Sequence, residues 1–208
     1  MNQGIQNEIV PTARVITGAA MVRLLALVLV ALLVSCVGTV TAAETPALSE
    51  YQVKALFLFN FAKYVDWPAE AYSSDSAPIL IGLVGEDHFG DSFKQVIAGK
   101  TINGRQVVIK HVASAQEYKS CHILFIGASE QSNLSEILSA VKGSAILTAG
   151  ETEEFLARDG MIDLRKKENK IRLEINLGAA QRANLKISSK LLSVADVVTG
   201  RAEDAKVN

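Results

Sequence analysis

The stretch Tyr51–Pro68, YQVKALFLFNFAKYVDWP, constrains the fold more than any other part of the chain. It holds six of the twelve aromatic residues: Tyr51, Phe57, Phe59, Phe61, Tyr64 and Trp67. Placed at about 100° per residue, Val53, Phe57, Leu58, Phe61, Tyr64 and Val65 fall on one broad apolar arc, with Gln52, Lys63 and Asp66 opposite. The spacing predicts a helix of about four turns. Pro68 ends it, because the residue before a proline is pushed out of the helical region. Leu56 and Phe59 spoil the pattern by projecting beside the polar stripe. A helix apolar beyond one face needs a second cover. That cover is either the rest of the domain or a partner surface, and the pattern leaves both open.

Ahead of this helix, residues 24–34 (LLALVLVALLV) form an unbroken apolar run behind Arg23. The run is about half of what a bilayer span requires. A basic flank, a short apolar core and small residues at Val40-Thr41-Ala42-Ala43 make a secretory signal peptide, cut after Ala42 or Ala43. Met21 opens a signal of ordinary size, so translation is expected to start there. A competing reading takes Leu33-Val34-Ser35-Cys36 as a lipobox, with cleavage before Cys36 leaving a lipid-anchored protein. The plainer one makes Cys36 a small apolar residue of the signal. Either way the chain is exported, and its expected organisation is a leader over 1–43, one domain over 44–200 and a frayed tail over 201–208.

Removing residues 1–43 takes away Arg14, Arg23 and Glu8 and leaves 165 residues, 19 basic and 21 acidic, net −2. That length supports one domain with a proper core. The near-neutral balance and the few aromatics outside the opening helix give no footing for nucleic acid. Only Cys121 remains after processing, so no internal disulfide can form.

The middle of the chain repeats one unit. Ile79–Gly85 (ILIGLVG) is a short apolar run, then Phe89, Phe93, Val96 and Ile97 follow at helical spacing up to Gly99. Gln106–Val112 is the next strand, and Ser114 caps a short helical segment. Cys121–Gly127 (CHILFIG) is apolar on both alternating sides, as a strand covered on two faces must be. Ser129–Val141 reads as a helix, Ala145–Gly150 as a strand, and Glu151–Leu156 as a short helix stopped by Gly160. Strand, glycine, polar cap and helix recur at Gly85, Gly127 and Gly150. Such alternation implies βαβ units and a mainly parallel sheet with helices on both faces, a three-layer, Rossmann-like α/β sandwich. The three glycine turns should lie along its carboxyl edge.

The end of the chain changes character. Met161–Arg165 and Lys170–Leu177 flank the charged turn Lys166–Asn169, an antiparallel hairpin with one wet face carrying Arg172, Glu174 and Asn176. Gly178–Leu185 is a short helical piece. Ser188 caps a last helix through Leu191, Leu192, Ala195 and Val198.

No catalytic signature appears. His88, His111 and His122 lack the short-gap partners of a metal site, and His122 reads as a satisfied buried histidine rather than a ligand. There is no G-x-S-x-G elbow and no Walker A. Cys121 reads as inert packing. Glu151, Glu153 and Glu154 read most simply as the first turn of a helix, where the dipole favours anions. No cofactor is expected.

ALFLFNFAKYVDWP, CHILFIG, ILTAGE and the run NKIRLEINLGAAQRANLKISSKLLSVA together resemble the YfiR-like exported proteins of Gram-negative bacteria, from Tyr51 to about Val198. The resemblance implies a periplasmic α/β sandwich without catalytic activity, often a homodimer. It implies a regulator that binds the periplasmic sensor region of an inner-membrane diguanylate cyclase or sensor kinase. An outer-membrane, peptidoglycan-binding lipoprotein is implied as the partner that relieves repression. The best-known member relies on disulfides; this chain, with Cys121 alone, departs from that pattern. Leu56, Phe59, Arg172 and Asn176 are the candidate partner or dimer contacts. The alternative is a small-molecule sensor feeding a membrane kinase or transporter. Its ligand would lie at Gly85-Glu86, Gly127-Ser129 and Gly150-Glu151, where free amides at helix starts would suit an anion.

Overall fold

The computed structural model describes residues 48–198, within a unit spanning Ala47–Asn208. Ala42, Ala43, Cys36 and the tail beyond residue 200 lie outside the described residues.

Ser49 opens α1 (Glu50–Tyr64) with a reciprocal cap: its Oγ accepts from Gln52 N at 3.2 Å, and Gln52 Oε1 accepts from Ser49 N at 2.8 Å. Both bonds satisfy amides at the helix start. The helix ends before the expected stop at Pro68. Val65–Asp66 is drawn out as β1, paired antiparallel with β11 (Lys186–Ile187). A pairing with residues far along the chain overrides the local helical periodicity. The buried stripe is also turned from the expected arc. Lys54, Ala55, Leu58, Phe61 and Ala62 are buried, whereas Val53, Phe57 and Tyr64 are half-buried.

The chain then runs through β2 (Ile79–Val84), α2 (Ser92–Ile97), β3 (Thr101–Ile102), β4 (Arg105–His111), α3 (Ala115–Tyr118) and β5 (Ile123–Ile126). It continues through α4 (Leu134–Val141), β6 (Leu147–Gly150) and β7 (Ile162–Asp163), and a β8–β9 hairpin (Lys166–Lys167, Lys170–Ile171) leads to β10 (Glu174–Asn176). α5 (Leu177–Arg182), β11, α6 (Ser189–Leu192) and β12 (Asp196–Val198) complete it. Eight strands form one sheet in the order β12-β10-β7-β6-β5-β2-β4-β3. The central run from β4 through β2, β5 and β6 to β7 is parallel throughout, while β3 and β10 join its two ends antiparallel. This is the mainly parallel α/β sandwich that the repeating unit predicts.

Strand alternation sorts the core into two layers. Ile79, Ile81, Leu83, Ile123 and Phe125 pack with Leu58 and Phe61 of α1 and Phe93 of α2. Val84, Leu124 and Ile126 pack on the other side with Leu134, Ile137 and Val141 of α4.

Three expected elements differ. Ser129–Val141 is split into a 3₁₀ turn, Ala128–Glu130, and α4. Glu151–Leu156 is no helix but a series of turns. Its Phe155 ring is fully buried, and a Cβ added at Gly150 or Gly160 would lie 2.3 or 2.4 Å from it. Two glycines clasp the ring, and the chain must turn back to bring the second one there. The last helix stops at Leu192, and Val198 belongs to β12, beside β10.

The hairpin forms with a tighter turn than the expected Lys166–Asn169: Lys166 and Lys167 pair with Ile171 and Lys170, Glu168 and Asn169 turn at φ 51° and 62°, and the returning strand is split into β9 and β10. Asn176 does not lie on a wet face. It is buried, and its Oδ1 caps α5 by accepting from Ala179 N at 3.0 Å. The Ser114 and Ser188 caps both form, the first reinforced by Glu117.

Candidate functional site

β2 is flanked by β4 on one side and β5 on the other. The chain leaves β2 toward β4, and leaves β5 toward β6. Connections that diverge in this way open a crevice at the carboxyl ends of the strands. Here it measures about 540 Å³, floored by Leu83 and Val112 and edged by Glu86, His111, Glu117 and Glu130. Gly85 makes the turn at φ +97°, and a Cβ on it would sit 2.3 Å from Ser129 Oγ. No other residue fits there without moving Ser129.

The amides expected to be open to an anion are engaged by the protein itself. Glu86 N donates to Ser129 Oγ at 3.0 Å, and Ala128 N donates to Glu151 Oε1 at 3.0 Å. Beside them Asp87 Oδ1 accepts from Phe89 N at 2.8 Å and Gly90 N at 3.1 Å, and Asp87 Oδ2 pairs with His111 Nε2 at 3.2 Å. Burial raises the Asp87 pKa, but the Gly90 and Phe89 amides and His111 outweigh it and hold the carboxyl below its usual range. The crevice therefore carries carboxylates at its mouth.

Glu151 does not start a helix; its side chain turns inward and is 5% exposed. It meets two residues of α1. Lys54 Nζ donates to Glu151 Oε2 and, at 2.6 Å, to Glu50 Oε1. Tyr51 Oη donates to Glu151 Oε1 at 3.2 Å. The Lys54 ammonium lies 4.6 Å from the Tyr51 ring centroid, and that ring packs edge-on against Phe89. Lys166 of β8 reaches Glu50 at 3.5 Å. Burial first, then the Glu151 carboxylate, push the Tyr51 hydroxyl far above the usual tyrosine range. Burial raises Glu50 as well, but Lys54 and Lys166 bring it below its ordinary value.

Chemically this cluster is closed. Lys54 is 2% exposed and held between two carboxylates, so its amine cannot reach a substrate. Glu151 has a donor on each oxygen. The arrangement pins α1 to the carboxyl ends of β5 and β6. Sequence reasoning missed Lys54. The signal was its position one turn before Leu58 on the buried stripe, four residues after Glu50.

The candidate contact residues separate. Leu56 is 36% exposed, on the outer side of α1. Phe59 is half-buried against the core, with Lys100 Nζ 5.3 Å from its ring centroid. Arg172 is exposed and pairs with Glu168 at 3.6 Å. Asn176, buried under α5, is removed from any such surface.

His122 is buried, but only half satisfied: Nδ1 accepts from Leu80 N at 3.1 Å, while Nε2 has no hydrogen-bond partner among the described residues. Among the described residues no three His, Cys, Asp or Glu side chains are placed to hold a metal ion. Cys121 is buried, its thiol pushed up by that burial. No helix of the described residues is long and apolar enough to cross a membrane.

No curated protein matches the chain. The YfiR/HmsC-like family model matches residues 51–196, from the start of α1 to the first residue of β12. That span covers well over half of the 208 residues and takes in every strand of the parallel run, and the chain belongs to the YfiR/HmsC-like family.

Proposed function

We propose that this protein is an exported periplasmic regulator acting by protein–protein contact. Its target is the periplasmic sensor region of an inner-membrane signalling protein, a diguanylate cyclase whose cyclic-di-GMP synthesis it represses. The observation that carries this reading is the family match over residues 51–196, since the YfiR/HmsC-like family is regulatory rather than catalytic. The closed state of the Tyr51–Lys54–Glu151 cluster agrees with it, because a fastened helix presents a fixed outer face. Leu56, with Phe59 beside it, supplies the apolar part of that face, and Arg172 a charged part on the hairpin. A second copy of the chain and an outer-membrane, peptidoglycan-binding lipoprotein are further partners in this scheme.

Two measurements test it. Deleting the gene in its host should raise cellular cyclic-di-GMP, and a tagged copy should co-purify with a membrane cyclase or sensor kinase from detergent extracts. Unchanged cyclic-di-GMP together with recovery of neither membrane protein would refute the proposal. Mass spectrometry of the mature N-terminus reads the export route: a start at Ala43 or Glu44 means a soluble periplasmic product, and a diacylglyceryl Cys36 means an anchored one.

A further inference from the structure

The sheet is eight strands wide, but the layer holding α3 and α4 covers only part of it. Over β6, β7 and β10 the cover is the turn-rich segment after Glu151. A cavity of about 760 Å³ is left there, between α4 and α5. That volume lies within the range of about 300–1,000 Å³ usual for small-molecule sites.

Its floor is a cross-strand row. Ala149 pairs with Ile162 and Ile162 with Ile175, which brings Thr148, Met161 and Asn176 into register one step along. Thr148 and Asn176 are each 2% exposed. Thr148 Oγ1 accepts from Met161 N at 3.1 Å, but its own proton goes to no acceptor among the described residues. Asn176 Oδ1 accepts from Ala179 N, and no acceptor among the described residues takes a proton from its Nδ2. Buried polar groups ordinarily find partners. Thr148 and Asn176 both line the cavity, so these two free donors at its bottom suit an acceptor that enters it.

The walls and rim narrow the chemistry. Leu138 and Val141 of α4 face Ala179 of α5 and Ala183 just after it across an apolar width. On the rim stand Arg158, Arg182 and Lys142. Arg182 pairs with Asp159 at 2.5 Å and Arg158 with Glu154. Lys142 has no ion pair among the described residues, so three cations stand against two anions. Donors below, apolar walls between and an excess cation above suit an acceptor-rich anion with an apolar body.

We infer that this cavity binds a small organic monocarboxylate whose carboxylate takes the Thr148 and Asn176 protons within the field of the rim cations, and whose hydrocarbon part lies between α4 and α5. The inference does not rest on the regulatory proposal: it concerns binding by the purified protein, whatever that protein contacts in the cell.

Octanoate and phenylacetate are the probes, one aliphatic and one aromatic, with octylamine as the cationic control. In calorimetric titration, at least one carboxylate should bind saturably with one-to-one stoichiometry, and octylamine should bind at least tenfold more weakly. Arg182→Gln, at an exposed position, should lower the affinity about fivefold or more. Ser139→Trp should fill the cavity and abolish binding with the melting temperature kept. Should that variant fail to fold, backbone amide shifts in the unaltered protein decide: they should move at Thr148, Met161 and Ala179. The inference is overturned if neither carboxylate saturates by 10 mM, a ceiling of about 3 kcal/mol of binding. It is also overturned if octylamine binds equally well, if Arg182→Gln keeps full affinity, or if the shifts gather at Gly85 and Glu86 instead.

Discussion

At the carboxyl edge of the sheet Glu151 takes bonds from Tyr51, Lys54 and Ala128 and keeps no oxygen idle. Over the Thr148–Met161–Asn176 row, two side chains equally out of solvent keep protons that nothing in the described residues accepts. Both patches sit on the same strand, β6 and its exit, within a few residues of one another. The difference lies in what covers them. α1 brings its own lysine and tyrosine down onto Glu151, whereas the segment opposite leaves a cavity. A buried polar cluster with every partner in place fastens elements together; one with donors to spare is suited to receiving something from outside.

The largest expected effect comes from opening the closed patch. Lys54→Met keeps most of the side-chain volume but strands a carboxylate out of water, and should cost about 3–5 kcal/mol of stability in urea unfolding. Adding Glu151→Gln should recover most of that, because glutamine still accepts from Ala128 N and Tyr51 Oη. A single variant losing less than about 1 kcal/mol would show that the cluster fastens nothing.

Outside both patches, Leu56 keeps 36% of its surface open. Leu56→Ser should leave stability within about 0.5 kcal/mol and weaken self-association or sensor binding by about 2 kcal/mol, read by analytical ultracentrifugation or pull-down. Phe59→Ala should also cost some stability, short of the about 3–5 kcal/mol of a fully buried phenylalanine, since its ring is only partly buried. A full-sized melting loss with unchanged association would make the whole helix an enclosed core element.

Thr148→Val touches the open patch and should cost about 1 kcal/mol, one neutral hydrogen bond from Met161 N. A loss matching Lys54→Met would mean that the two patches are not different after all. His122, before β5, is intermediate in kind, with one ring nitrogen engaged and one not. Burial, and then Arg105, hold its pKa below the usual histidine range. Such an imidazole takes up its proton more readily in the unfolded chain. Its stabilising contribution is therefore complete above about pH 6.5 and is lost as the pH falls from there toward the depressed folded value. Urea midpoints should fall between pH 7 and 5, and His122→Gln should flatten part of the slope; an unchanged slope would assign the loss to other groups. The smallest effect expected is none: reductant should not move the melting temperature, as Cys121 is buried and unpaired among the described residues. A drop of several degrees would reveal a disulfide between chains.

Much of the architecture follows from local order. Apolar runs such as ILIGLVG and CHILFIG, each closed by glycine and followed by a helical pattern, point to a parallel sheet because crossover helices cover such strands on both faces. Ser114 and Ser188 state their helix starts because a hydroxyl at that place captures an otherwise unpaired amide. The alternation of Leu173 and Ile175 with charged neighbours states the closing strand. What local order cannot state is the fate of a polar side chain whose partner is remote. Lys54 looks like any helix-surface lysine until Glu151, 97 residues away, is brought beneath it. Glu151 looks like a dipole-favoured first-turn residue until Phe155 turns the chain back between two glycines. Asn176 looks solvated until α5 closes over it. Periodicity and capping are decided within a few residues, so the sequence alone determined the mainly parallel sheet and the family. Burying a charge or an amide is tolerable only with a partner in place, and only the tertiary structure decided which partner arrives and which place stays open.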